Sequence, residues 1–159
     1  AEKVQPDWIV IDGAEIFQQV CEMTMRYRNN LMPFQGIKNL NLWKERRLYI
    51  RQIHNKALNI AKRGLIYTTY VDKDEIVVDG ELVAKKDVPR WIDAIMYETD
   101  TVIRVRSIAA DGAEGLGGRK FIAIVESSKG SLPTGLKVDI TDRGFDALVE
   151  AAKKLKGGG

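Results

Sequence analysis

Residues 7–13 read Asp-Trp-Ile-Val-Ile-Asp-Gly, a bulky apolar run that ends in a carboxylate and a glycine. The run predicts a buried strand, and the glycine predicts a sharp turn into an amphipathic helix at about Ala14 to Tyr27. A second helix, at about Leu40 to Lys62, precedes the next apolar run, Leu65 to Val71. Strands joined by a helical crossover pair in parallel. The opening therefore predicts an α/β fold with Asp12 at the carboxyl end of a parallel strand, where open α/β sheets bind ligands.

The remaining pattern predicts a hairpin, a third helix and a closing group of strands. The dipeptide Asp-Gly at 79–80, between two β-branched runs, predicts a hairpin over Ile76 to Val83 that projects from the sheet. Asp87 is predicted to cap a helix that has Pro89 in its first turn and ends by Asp100. Three strands complete the predicted order, at 101–108, 119–126 and 136–140. A final helix is predicted from a cap at 141–142, with a buried face formed by Phe145, Leu148, Val149, Ala152 and Leu155.

Composition favours one soluble domain. Hydrophobic residues make up 45% and charged residues 30% of the 159 residues, as in ordinary globular chains. The single cysteine, Cys21, excludes an internal disulfide and is predicted to be buried. No apolar stretch approaches the roughly 20 residues that cross a bilayer. We therefore predict a cytoplasmic protein with no membrane partner, one domain over residues 1–156, and a flexible tail at 157–159.

The second predicted helix has one apolar face and one basic face. The apolar positions are Trp43, Ile50, Ile53, Ala57 and Ile60, and the basic positions are Lys44, Arg46, Arg47, Arg51, Lys56, Lys62 and Arg63. A charge run of this kind is usually a solvated face, and nucleic acid or a neighbouring acidic surface is the alternative. His54 has no nearby Cys, His or Ser at a ligand or triad spacing, so we predict a surface histidine.

Residues 119–148 resemble the closing segment of RecA-like ATPases of the RadA, KaiC and phage recombinase kind. That segment pairs two antiparallel strands around a loop with basic residues and proline, and it ends in an Ile-Thr-x-x-Gly-apolar signature. Here the signature reads Ile-Thr-Asp-Arg-Gly-Phe at 140–145, and residues 8–12 resemble the Walker B strand. The resemblance implies a three-layer RecA-like sheet, in which parallel strands are followed by antiparallel carboxyl-terminal strands, with a projecting β-hairpin.

The resemblance also implies roles for individual residues in binding ATP and Mg²⁺. Asp12 corresponds to the Walker B acid, which orients magnesium through water. Thr68 and Thr69 fall where the family places a polar sensor of the γ-phosphate. Lys129 resembles the basic finger that such proteins present to nucleotide on a neighbouring subunit, which implies a homo-oligomeric ring or filament. Arg104 and Arg106 are weaker candidates for a similar role.

The predicted hairpin occupies the place where recombinases carry a DNA-contacting loop. Its segment contains Lys73, Lys85 and Lys86. We therefore predict that single-stranded or duplex DNA contacts these lysines, and a solvated hairpin is the alternative. The function that follows is the carboxyl-terminal part of a RecA-like ATPase in DNA recombination, repair or remodelling.

The printed sequence departs from the family in one respect. It contains no G-x-x-x-x-G-K-[ST] motif, the Walker A loop that holds the β- and γ-phosphates. We expect no tight ATP binding by these residues alone, and we expect an amino-terminal piece to carry the motif. A degenerate paralogue that never bound nucleotide is the alternative. Glu15 follows Asp12 and is not assigned the role of general base.

Two other functions compete with the ATPase. The strand that ends in Asp12 also resembles the first acidic strand of PIN or NYN nucleases. In that hypothesis Asp12 and Asp100 share a divalent metal with another acid, such as Asp72 or Asp93, because phosphodiester cleavage needs clustered carboxylates. The last alternative is a catalytically silent binding or assembly module that uses the sheet edge and the basic helix face.

Overall fold

The computed structural model describes residues 5–78, 81–90, 95, 98–109 and 118–156, with the backbone alone at 74–78, 81–86 and 88. Within these residues the chain is mixed α/β, which confirms the predicted class at this level. The elements are β1 Trp8–Ile11, α1 Ala14–Arg28, α2 Leu40–Ile60, β2 Gly64–Tyr67, β3 Val71–Val78, β4 Glu81–Pro89, β5 Thr101–Ala109, β6 Arg119–Ser128, β7 Lys137–Asp139 and α3 Phe145–Lys156. The chain divides into two compact units, Ala1–Tyr97 and Glu98–Gly159.

The first unit contains the predicted parallel strand pair. Strand β1 pairs in parallel with β2, in a register that places Trp8 opposite Gly64 and Ile11 opposite Tyr67. Strand β2 ends at Tyr67 rather than at Val71, which instead begins β3. The parallel ladder still extends one step, because the Thr68 N–H donates to the Ile11 carbonyl at 3.1 Å. The strands therefore end side by side, immediately before Asp12 and Thr68.

Helices α1 and α2 provide the apolar core of the first unit. Ala14, Cys21 and Ile50 are buried together with Ile95, and Phe17, Tyr49 and Tyr67 pack around them. The predicted burial of Cys21 is confirmed, since it is 2% exposed. Two positions of the predicted apolar face of the second helix, Ile53 and Ile60, are exposed instead, and so is Val20 of α1. Both helices have apolar residues on more than one face, and periodicity does not indicate which face packs.

The connection from α1 to α2 is held by a buried arginine. Arg26 is 9% exposed and donates to the carbonyls of Met32 at 3.2 Å and Gln35 at 2.7 Å. Its Nε and Nη2 also donate to one oxygen of Glu22, at 2.9 and 2.8 Å. The other oxygen of Glu22 accepts from Arg46 at 3.3 Å. The guanidinium of Arg26 thus donates hydrogen bonds to carbonyls of a loop that belongs to neither a helix nor a strand.

The hairpin is longer than the sequence predicted. Strands β3 and β4 pair antiparallel from Val71 opposite Pro89 to Val78 opposite Glu81, and the predicted Asp-Gly turn at 79–80 lies outside the described residues. The prediction that Asp87 caps a helix with Pro89 in its first turn is wrong, because both residues belong to β4. Proline is tolerated at the last position of a strand, where the missing N–H breaks no further pairing. Most of the predicted helix, at 91–94 and 96–97, lies outside the described residues.

The second unit contains the predicted antiparallel strands, in the order β5-β6-β7. Ala123 and Val125 of β6 are fully buried, and Leu148 of α3 is 6% exposed. Two residues expected on the buried face of α3, Phe145 and Leu155, are 43% and 48% exposed. The polar residues of the Ile-Thr-x-x-Gly signature form the turn between β7 and α3, so the helix begins at Phe145, three residues after the predicted cap at 141–142.

Thr141 is the centre of that turn. Its hydroxyl accepts from the Phe121 N–H at 2.9 Å and donates to Asp139 at 2.6 Å, and its own N–H donates to Asp139 at 2.9 Å. Gly144 then adopts φ 51°, a left-handed conformation that glycine tolerates, and its N–H donates to the Ile140 carbonyl at 2.9 Å. The signature residues at 140–144 therefore connect β6, β7 and α3 by hydrogen bonds.

Candidate functional site

Asp12 lies where the sequence predicted, at the carboxyl end of β1, and its side chain is exposed. The next residue, Gly13, is the N-cap of α1 and adopts φ 81°, a left-handed conformation. A side chain at Gly13 would approach the Ile16 Cδ1 atom at 3.3 Å. The sharp turn that glycine allows therefore directs the chain from the strand into the helix and leaves the Asp12 carboxylate at the edge of the sheet.

Thr68 fixes the position of the Asp12 carboxylate. The Thr68 hydroxyl donates to Asp12 Oδ1 and accepts from the Gly13 N–H at 3.0 Å. The Thr68 carbonyl accepts from the Ala14 N–H at 2.8 Å. Within the described part of the chain, no hydrogen bond reaches the second carboxylate oxygen, Oδ2. Asp12 thus presents one oriented oxygen and one oxygen available to a ligand.

Thr69 belongs to a second group of polar contacts at the same edge. Its hydroxyl donates to the Arg90 carbonyl at 2.6 Å and lies 3.3 Å from a carboxylate oxygen of Glu15, in the first turn of α1. The Arg90 Nε atom donates to Asp72 at 3.0 Å. The backbone N–H of Lys73, followed by the Arg90 guanidinium, holds the pKa of Asp72 below its ordinary value. Asp72 is therefore an ionised partner of Arg90 at neutral pH.

The donor set at this edge fits magnesium bound largely through water and phosphate. Mg²⁺ usually takes one or two protein carboxylates and keeps several waters. Asp12 offers such a carboxylate, and Glu15 follows three residues later in the first turn of α1. Among the residues whose side chains are described, no three His, Cys, Asp or Glu form a metal-binding group. Any magnesium held here would need ligands from outside this set, such as phosphate oxygens and water.

The two threonines predicted as phosphate sensors are both engaged with protein groups. The donor hydrogen of Thr68 is directed to Asp12, and that of Thr69 is directed mainly to the Arg90 carbonyl. In this arrangement Thr68 positions the Asp12 carboxylate. A direct contact between either hydroxyl and phosphate stays a prediction, and it requires the hydroxyl to exchange its present partner.

Lys129, the predicted basic finger, lies in the second unit and is exposed immediately after β6. Its backbone N–H donates to the Asp100 carbonyl at 2.7 Å, and the following Gly130 N–H donates to the Ser128 hydroxyl at 3.0 Å. The loop that carries Lys129 is therefore held at its base by hydrogen bonds. Its action on a neighbouring subunit stays a prediction.

The two weaker basic candidates lie on β5. Arg104 is directed at Glu126, with Nε 2.6 Å from a carboxylate oxygen, a distance that makes an ion pair although the N–H is not aligned for a hydrogen bond. Arg106 is exposed on the same strand. Arg104 therefore forms an ion pair within the second unit.

The three lysines predicted to contact DNA lie on the hairpin. The Lys73 ammonium is 3.0 Å from an Asp87 carboxylate oxygen. The register places Lys86 opposite Asp74 and Lys85 opposite Glu75, in backbone terms. Residues 71–89 contain these three lysines against six acids. The hairpin sequence is thus acidic overall, and its contact with DNA stays a prediction.

His54 corrects one prediction from the sequence. It is 6% exposed rather than on the surface, and its Nδ1 lies 3.0 Å from the Tyr67 hydroxyl. The two rings stack with centroids 5.9 Å apart. His54 therefore connects α2 to the end of β2, one residue before Thr68. Sequence reasoning missed it because the buried face of α2 depends on how the helix packs against that strand.

The acids of the nuclease hypothesis have different environments. Asp72 is ion-paired with Arg90, Asp93 lies outside the described residues, and Asp100 belongs to the second unit. Sequence reasoning also did not identify Arg90 or assign Glu15, whose contacts with Thr69 depend on the tertiary arrangement. The only sequence signal for Glu15 is its position, as an acidic residue in the first turn of α1 directly after the strand that ends before Asp12.

Comparisons with protein families and with curated proteins identify no relative of this chain. No protein-family model matches the chain, and a search of curated proteins finds no match. No helix in the described part of the chain is both long enough and apolar enough to cross a membrane.

Proposed function

We propose that this chain contributes the Walker B acid and a basic finger to a RecA-like ATPase that acts in DNA recombination, repair or remodelling. The observation that carries the proposal is the Asp12 carboxylate, which is exposed at the carboxyl end of a parallel strand and oriented by a threonine from the neighbouring strand. Carboxylates in this position hold the magnesium of phosphate-transferring proteins. The three-layer RecA-like sheet is part of the proposal.

Each side chain at the edge has a defined task in this proposal. Asp12 would help to hold the magnesium, and Thr68 keeps the Asp12 carboxylate from turning away. Magnesium, when bound, neutralises charge that develops on the transferring phosphate. Lys129 contacts nucleotide held by a neighbouring subunit of a ring or filament, where a cation stabilises the same charge. The hairpin with Lys73, Lys85 and Lys86 contacts DNA.

The metal part of the proposal is tested on the chain itself with Mn²⁺, a paramagnetic substitute for Mg²⁺. Substoichiometric Mn²⁺ with ATP should broaden the backbone amide signals of residues 12–14 and 68 before others in an NMR titration. Asp12→Asn should abolish that selectivity. Asp7→Asn is the matched control, because Asp7 is an exposed aspartate at the opposite end of the same strand. Selective broadening that persists in Asp12→Asn contradicts the assignment.

The catalytic part is tested in the polypeptide expressed from its native reading frame. We expect Asp12→Asn to lower kcat for ATP at least tenfold, about 1.4 kcal/mol on the barrier. When Lys129→Ala subunits are mixed with active subunits, they should no longer stimulate ATP hydrolysis by the neighbouring subunits. Turnover that neither substitution changes contradicts the proposal.

The nuclease and the silent module give different results in the same preparation. Cleavage of labelled single-stranded RNA or DNA with Mn²⁺, abolished by Asp12→Ala, would establish the nuclease. The binding module predicts neither cleavage nor selective Mn²⁺ broadening, and it predicts no ATP turnover by the polypeptide expressed from its native reading frame.

A further inference from the structure

The positive charge of this protein is concentrated in one segment. Residues 38–63 contain eight of the 25 lysines and arginines and one of the 22 acids, so the segment carries +7. The rest of the chain has 17 basic and 21 acidic residues and carries −4. Although the overall charge is only +3, the positive charge is concentrated in this segment. Most of these basic residues lie on α2.

The exposed side of α2 displays these cations in a row. Lys44, Arg47 and Arg51 are exposed and follow each other at three- and four-residue spacing, which places them on one face of the helix. Asn55 continues the row, and Lys56 is exposed beside it. At about 1.5 Å per residue, the row from Lys44 to Asn55 extends roughly 16 Å along the helix. We call these four residues, Lys44, Arg47, Arg51 and Asn55, the basic row.

Two charged residues of α2 outside the basic row, Arg46 and Glu45, contact other parts of the fold. Arg46 is directed at Glu22 and lies over the Trp43 ring, 4.7 Å from its centroid. Glu45, the acid of the helix, accepts hydrogen bonds from Tyr49 and from Asn29 at 2.9 Å. No ion pair among the described residues involves Lys44 or Arg47. Packing therefore explains Arg46 and Glu45 and leaves the row at the surface.

The basic row costs stability in the isolated chain. Like charges three or four residues apart on a helix are destabilising by about 0.2–0.5 kcal/mol per pair. Solvated helix faces commonly alternate positive and negative residues, which removes this cost. A polyanion bound along the row would also remove it. The repulsion between Lys44 and Arg47 thus indicates a surface suited to an external negative charge.

We propose that the basic row binds the phosphodiester backbone of nucleic acid, without reading base sequence. Cations that recur every three or four residues along a rod match a polymer with a regular, closely spaced charge. Guanidinium, ammonium and amide groups are the usual side-chain contacts to phosphate oxygens. The row binds nucleic acid independently of the metal site, of the hairpin and of the ATPase proposal, because a different set of residues carries it.

The test is fluorescence anisotropy of the full chain with labelled 20-nucleotide single-stranded and duplex DNA over a range of salt concentrations. Lys44→Ala with Arg47→Ala should weaken binding at least tenfold near 0.1 M salt. It should also reduce the slope of log K against log salt by about 1.8 for duplex or about 1.4 for single strands, as expected for two lost phosphate contacts. Alanine is a strong helix former, so α2 should remain intact.

The matched control is Lys153→Ala with Lys154→Ala, which removes the same charge from exposed positions of α3. We expect this variant to bind DNA within twofold of the unmodified chain. Equal losses in both double variants would overturn the proposal, because net charge alone would then explain binding. Unchanged binding by the Lys44 and Arg47 variant, or no binding at low salt, would also overturn it. Displacement of DNA by polyglutamate at equal charge concentration would assign the row to an acidic protein instead.

Discussion

At the scale of single residues, the candidate site depends on a small set of backbone and hydroxyl contacts. Gly13 turns the chain at the end of β1, and Thr68 bonds both the Gly13 N–H and the Asp12 carboxylate. The hydroxyl of one residue therefore couples the helix N-terminus to the acid. Such coupling holds a carboxylate ready for a ligand at little further entropy cost when the ligand binds.

We expect Gly13→Ala to destabilise the protein by about 1–2 kcal/mol, because an L-residue is strained in the left-handed conformation. Gly36→Ala is the control, since a side chain at Gly36 meets no atom within 4 Å. Urea unfolding measures both variants. The substitution at Gly13 should also weaken the selective Mn²⁺ broadening at residue 12. Equal stability of the two variants would contradict the role assigned to Gly13.

We expect Cys21 to resist alkylation in the native state. Burial, partly offset by Arg46, raises the pKa of the Cys21 thiol in the fold. A raised pKa stabilises the fold fully below the pKa of the unfolded thiol, and this stabilisation is lost as pH rises through the folded pKa. Iodoacetamide labelling should therefore follow global unfolding in urea, and alkaline pH should lower the unfolding midpoint less in Cys21→Ala. Rapid labelling without urea would contradict burial.

At the scale of elements, side-chain hydrogen bonds hold two of the segments that connect strands and helices. Arg26 holds the loop between α1 and α2 through two carbonyls. Thr141 and Asp139 make the turn from β7 to α3. Apolar burial contributes little to the first of these segments, where Met32 and Phe34 are 70% and 100% exposed. Directional hydrogen bonds therefore determine its shape.

We expect Arg26→Met to destabilise the first unit by about 2–4 kcal/mol, because it leaves one carboxylate oxygen of Glu22 and two carbonyls without their donor. Arg47→Met is the control, an exposed arginine on α2. Hydrogen exchange should show faster amide exchange over 29–39 in Arg26→Met alone. Similar exchange in both variants would contradict the anchoring role.

Acid should weaken the turn before α3. The Thr141 hydroxyl and the Thr141 N–H hold the pKa of Asp139 below its ordinary value. A lowered pKa stabilises the fold above the pKa of the unfolded group, and this contribution is lost as pH falls through the folded pKa. Thr141→Val should therefore reduce the loss of stability below about pH 4, whereas Thr141→Ser should retain it. Urea midpoints between pH 2 and 6 measure the difference.

At the scale of the whole molecule, the proposed metal site and the proposed basic row are formed by different residues. The first depends on a carboxylate at the end of β1, and the second depends on exposed cations of α2. A DNA-dependent ATPase needs both kinds of surface, although each proposal stands on its own residues.

We expect the two surfaces to respond independently. Asp12→Asn should leave DNA affinity and its salt slope within twofold of the unmodified chain. Lys44→Ala with Arg47→Ala should leave the Mn²⁺ broadening at residues 12–14 unchanged. Anisotropy and NMR on the same preparations measure both effects. Loss of both activities in either variant would indicate a single site or a damaged fold.

The sequence by itself determined most of the elements and the position of Asp12. Periodicity and a glycine after an apolar run were sufficient for β1, α1 and α2, and the closing antiparallel strands also followed the prediction, because the spacing of apolar residues distinguishes strands from helices. Only the tertiary structure decided that His54 is buried, that Asp87 and Pro89 extend a strand, and that Thr68 holds Asp12. Each of these depends on register or on which helix face packs, and such long-range pairings leave no local pattern.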